Sequence, residues 1–115
     1  MADKDGATEA AGLRGKVLRP GELVAYQEGS VVSRTIVDRK TGTVTLFAFA
    51  QGEGLSEHTA PFDALVHILE GEAAITVSGQ PQQVRAGEMI IMPAGQPHAL
   101  KAVAAFKMAL VMIRS

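Results

Sequence analysis

Three features of the sequence predict an all-β fold of antiparallel strands closed into a barrel. Short apolar and β-branched runs recur from Val17 onward, separated by turn signals rich in Gly and Pro. Several runs alternate with a period of two, as strands with one inward face do. No stretch beyond the N-terminal residues keeps a helical period.

The elements follow in chain order. Residues 1–15 are small and polar, with Gly6, Gly12 and Gly15, and read as a flexible tail; a short helix over Thr8–Leu13 would bury little. Residues 16–115 form the barrel domain. Arg19–Glu22 is a turn, Val31–Val37 a strand and residues 38–42 a hairpin loop. In Thr43–Ala50, Thr43, Thr45, Phe47 and Phe49 share one face, and Val44, Leu46, Ala48 and Ala50 the other. Gly52, Glu53 and Gly54 break that strand. Ala64–Leu69 is a nearly continuous apolar run, which suits a strand covered on both faces. Ala73–Val77 and Gln82–Arg85 make a tight hairpin around residues 78–81. Met89–Met92, His98–Val103 and Phe106–Ile113 are the last strands.

Composition narrows the function. A chain of 115 residues is one domain. Hydrophobic residues make up 47% and aromatics only 4%, so aliphatic side chains and Met must fill the core. A formal net charge of −1, with both signs interspersed, gives no footprint for nucleic acid or an anionic membrane. The absence of Cys excludes disulfides and thiolate chemistry. Neither a signal-peptide pattern nor an apolar run of ~20 residues is present, so a cytoplasmic protein is expected.

Two Gly-anchored segments carry the chemistry. The first runs from Gly52 through His58 to Gly71, and the second has Gly87, Pro93, Gly95 and His98. Together they resemble the motifs of the cupin superfamily, in particular its small single-domain members with an RmlC-like jelly roll. The first cupin motif is Gly, five residues, His-x-His, three or four residues, Glu, six residues, Gly. The second is Gly, five residues, Pro-x-Gly, two residues, His, three residues, Asn. Gly52, His58 and Gly71 match the first, with Ala60 at the second His and Ala64 at the Glu. Gly87, Pro93, Gly95 and His98 match the second, with Ala102 at the Asn. The resemblance spans residues 17–114.

It implies a double-stranded β-helix whose histidines point into the barrel. In cupins three His and one Glu bind a divalent Fe, Mn, Zn, Ni or Cu ion. Here only His58 and His98 remain, so the expected site is a small-molecule pocket around that pair, with Met92 and Met108 in its lining. A metal on His58 and His98 is the alternative, and it would make the protein a dioxygenase- or isomerase-type enzyme with a reduced ligand set. His67, Asp63 and Glu57 are candidates for a third ligand. Strand parity opposes all three: if Ala64 faces inward, Val66 and Ile68 do too, while Asp63, Leu65 and His67 face out. A bulge near Pro61 would change that parity. His67, on an apolar outer face, is expected at a subunit contact.

Ala60 and Ala64 are expected to widen the cavity. Phe106, Met108, Leu110 and Met112 share one face, as core filler or as the lining of an adaptable pocket. Either Phe47 and Phe49 or Leu46 and Ala48 complete it. Largely apolar outer faces predict a homodimer, and the resemblance implies exchange of an N-terminal segment, Leu18 to Tyr26. A metal-free enzyme using one His as general base is a further reading, opposed by the lack of a carboxylate partner.

Overall fold

The computed structural model describes residues 12–114. The tail expected over residues 1–15 and the short helix over Thr8–Leu13 lie outside the described residues except for their last positions. A 3-10 turn, Pro20–Glu22, precedes the strands β1 (Val31–Arg39), β2 (Gly42–Phe49), β3 (Gly54–His58), β4 (Asp63–Glu70) and β5 (Glu72–Val77). They are followed by β6 (Gln80–Arg85), β7 (Met89–Met92), β8 (His98–Ala102) and β9 (Phe106–Ile113).

The strands form a five-stranded sheet, β1-β2-β9-β4-β7, and a four-stranded sheet, β3-β8-β5-β6. Every pairing is antiparallel. One core joins the sheets: Val66, Ile68, Phe106 and Met108 from the first meet Ala73, Ile75, Val84 and Leu100 from the second. This is the jelly-roll arrangement expected from the sequence.

The inward face of β2 is the one carrying Phe49, whose ring stacks on Phe106 at 4.4 Å between centroids and 9° between planes. Leu46 and Ala48 face the other way and are buried by Leu23 and Val24 of the N-terminal segment. That segment lies against the outer face of β2. The Arg34 Nη1 donates to the Leu23 carbonyl at 3.1 Å, Lys107 Nζ to the Gly21 carbonyl at 2.6 Å, and the Tyr26 hydroxyl to Glu70 at 2.7 Å.

Two loops are tighter than the sequence suggested. β1 runs on to Arg39, leaving only Lys40 and Thr41 between it and β2. Between β5 and β6 the turn is Ser78 and Gly79 alone, both at positive φ (50° and 78°), as a two-residue hairpin of matching twist requires. Pro81 therefore sits within a strand, and it is tolerated because β6 is a sheet edge. Among the described residues no helix is long and apolar enough to cross a membrane.

Candidate functional site

The site is built by a bulge. β3 pairs with β8 so that Leu55 opposes Leu100 and His58 opposes His98, which places one extra residue on β3 between the two pairs. Without it Glu57 would face His98. The extra residue flips the parity, so Leu55 and His58 both turn inward and Glu57 stays exposed. The bulge also orients the imidazole: His58 Nδ1 lies 2.8 Å from the Ser56 carbonyl, so it carries a proton and donates. A neutral His58 then presents an Nε2 lone pair to the interior.

His98 Nε2 is 3.1 Å from that lone pair, and the two rings meet edge to face. His98 must therefore donate from Nε2, which leaves its Nδ1 a lone pair. That Nδ1 is buried and makes no hydrogen bond. His58 is exposed at the mouth, and His98, 4% exposed, lies at the floor.

The rest of the cavity is apolar. Leu55, Leu100 and Leu110 line it, with Ala60 and Ala64 where the cupin pattern has ligands and Met92, Met108 and Met112 around them. Its volume is about 50 Å³. That is one or two waters' worth at ~30 Å³ each, and well below the ~150 Å³ that admits benzene. Met92, Met108 and Met112 stand around the two Ala positions in this small space.

Met92 and Met108, expected in the lining, are there. Met112, Leu55, Leu100 and Leu110 join them; the alternation of β9 had already put Leu110 and Met112 on the face of Met108, whereas Leu55 depends on the bulge. Phe47 and Phe49 pack in the core and not on the cavity.

The third-ligand candidates are not brought to the pair. His67 points to the outer face of β4, opposite Met89 and Ala109, while its neighbours Val66 and Ile68 point in. Asp63 accepts a hydrogen bond from the Ala94 N–H at 2.8 Å, and Glu57 is exposed. The bulge precedes His58 and so leaves the parity of β4 intact. The chain leaves β3 after His58, yet Ala60 still faces the cavity while its carbonyl accepts from the Gly95 N–H at 2.8 Å. Ala60 and Asp63 thus fasten the first motif to the Pro93–Gly95 turn of the second.

Burial first, and the His58 ring second, hold the His98 imidazole below its ordinary value of 6.5. The Gln96 backbone acts in the other direction and is the least of the three. Below about pH 6.5 the unfolded chain takes up a proton here that the folded chain refuses, so this contribution to stability is present above that pH and lost as pH falls through the folded value. Urea midpoints measured from about pH 8 to about pH 5 should therefore drop more steeply for the wild type than for His98→Gln. Equal slopes would remove the effect from His98.

Two facing sheets around a pair of inward histidines define a barrel of the double-stranded β-helix class. The cupin-domain family profile matches residues 45–114, and the chain belongs to that family. Among solved structures, a conserved Streptococcus pyogenes protein of unknown function is similar at 40% identity and a TM-score of 0.84, covering 89% of this chain and 90% of that one. A cupin superfamily protein from Desulfitobacterium hafniense is 29% identical with a TM-score of 0.83, covering 89% and 94%. A cupin 2 conserved barrel domain protein from Leptotrichia buccalis is 41% identical with a TM-score of 0.79, covering 81% of this chain but 45% of its own length. No functionally curated protein matches the sequence.

Proposed function

We propose that this protein is a ligand-binding cupin whose recognition element is the His58–His98 pair. The observation that carries the reading is the convergence of two imidazole Nε2 atoms, 3.1 Å apart, among leucines, alanines and methionines. Packing alone gives no reason to bury His98 beneath a second imidazole, since a polar group in a core is stabilising only when fully satisfied, and His98 Nδ1 is not. A ligand that takes both Nε2 atoms replaces the direct contact between the rings. The cavity limits it to an ion or a few atoms, far below the ~300–1,000 Å³ of pockets for larger molecules.

A metal-dependent cupin enzyme is the second reading. In its favour, two nitrogen ligands on a tetrahedral ion with bonds of ~2.0–2.1 Å stand about 3.3 Å apart, close to the observed spacing. Against it, the cupin set of three His and one Glu does not fit this cavity, where methyl groups occupy two ligand positions. Among the described residues no three His, Cys, Asp or Glu gather as a metal site. A second copy of the chain is part of the proposal as the partner of the outer sheet face, where Met89, Ile91 and Ile113 are 56%, 61% and 51% exposed.

The test is a crystal structure at atomic resolution of protein purified without a metal-affinity resin, for the wild type and for His58→Ala. A group bonded to both Nε2 atoms is expected in the first and absent from the second.

A further inference from the structure

The donors around the cavity are of an unusual kind for this fold. Besides the two imidazoles, the lining residues whose side chains carry a donor atom suited to a soft ion are Met92 on β7 and Met108 and Met112 on β9, each with a thioether. In register, Ala64 lies between Met92 on one neighbouring strand and Met112 on the other. The small residue at the lost carboxylate position is therefore flanked by methionine side chains.

Every one of these donors is neutral. Asp63 is engaged with the Ala94 N–H and Glu57 points to solvent, so no carboxylate offsets the charge of a buried ion. The penalty of transferring an ion from water grows with the square of its charge, which sets a divalent ion at a fourfold disadvantage against a monovalent one here. The leucine lining also leaves little room for the waters that Mn, Fe or Zn would keep. Thioethers select soft ions, and imidazole accepts copper among others; copper in its lower oxidation state is what both donor types share.

We propose that the ligand of the His58–His98 pair is monovalent copper, Cu(I), held by the two Nε2 atoms and by methionine thioethers from β7 and β9. The inference rests on the pair being a ligand site. His58 is already in the tautomer this requires, with Nδ1–H on the Ser56 carbonyl and its Nε2 free to coordinate. His98 needs its proton on Nδ1, on the side where the Gln96 backbone already favours a protonated ring. No redox step is involved; the role is capture of the ion.

The experiment is an anaerobic titration of the metal-free protein with Cu(I) against a chromogenic Cu(I) chelator, with Zn(II), Ni(II), Mn(II) and Fe(II) titrated in parallel. One equivalent of Cu(I) is expected to bind, at least ~100-fold more tightly than any divalent ion. X-ray absorption at the copper edge of the wild type should show both nitrogen and sulfur neighbours. Met→Leu changes at 92, 108 and 112 keep volume and apolarity, so folding should persist while Cu(I) affinity falls at least ~10-fold for the ligating residues. Tighter binding of zinc or nickel, no binding of Cu(I), or a copper edge without sulfur would overturn the proposal. Cu(I) binding that survives His58→Ala would sink the ligand-site reading as well, whereas a divalent ion lost on His58→Ala would sink only the copper assignment.

Discussion

Gly71→Ala is expected to destabilise the protein by more than about 3 kcal/mol. Gly71 forms the turn between β4 and β5 at φ +80°, a left-handed conformation that disfavours any Cβ. A Cβ there would collide with the Ala105 carbonyl oxygen and lie 2.7 Å from Phe106 Cα, both backbone atoms that cannot rotate away. Relief would require moving the start of β9, where Phe106 stacks on Phe49 in the core. Gly87 supplies the control: it has φ +87° but open space around the position of a Cβ. Gly87→Ala should cost only the conformational strain, ~1–2 kcal/mol. Urea unfolding of the two variants separates the effects, and equal losses would show that close approach at Gly71 contributes nothing.

Ala64→Glu, which restores the carboxylate of the cupin pattern, should cost about 3 kcal/mol or more at pH ~8. Ala64 is 2% exposed and shares the small cavity with His58 and His98. The new side chain overfills that space and brings in a charge beside His98, whose burial disfavours the cationic imidazole that would offset it. On lowering the pH to ~6 the loss should shrink, because the carboxylate favours a proton on His98. The pH trend is thus opposite to that of the wild type, which loses stability in the same window through His98. In Ala60→His/Ala64→Glu a divalent transition ion should recover much of the loss by pairing the charge. Urea unfolding with and without the ion checks each point, and a stable Ala64→Glu variant at high pH would mean that the cavity is wetter than its lining implies.

Much of the fold was legible because it is written in local signals. The alternation in β2 and β9 and the glycines at Gly52, Gly71, Gly87 and Gly95, all at positive φ, act over a few residues. Which face of β2 turns inward was not legible, since Leu46 and Phe47 are equally apolar. Only the packing of Val24 on one side and Phe106 on the other decides it. Extra length in β1 and β6 was hidden because Asp38, Arg39, Gln80 and Pro81 are turn-like residues that sheet pairing overrides.

The site divides the same way. His58 and His98 could be found by spacing, but their contact depends on the bulge at residues 56–57, a feature of pairing with β8 that no residue of β3 announces. The small size of the cavity is a non-local matter. Methionines on β7 and β9, more than twenty residues along the chain from Ala64, line it beside the two Ala positions. His67 followed parity, as strand geometry demands.

If the His58–His98 contact is a place held for a ligand, atomic-resolution crystallography of the protein as purified, free of any metal-affinity step, will show that ligand. A group other than water bonded to both Nε2 atoms, lost in His58→Ala, is the predicted result. A direct ring-to-ring hydrogen bond at the 3.1 Å spacing, with an empty or water-filled cavity in wild-type protein from every preparation, would contradict it.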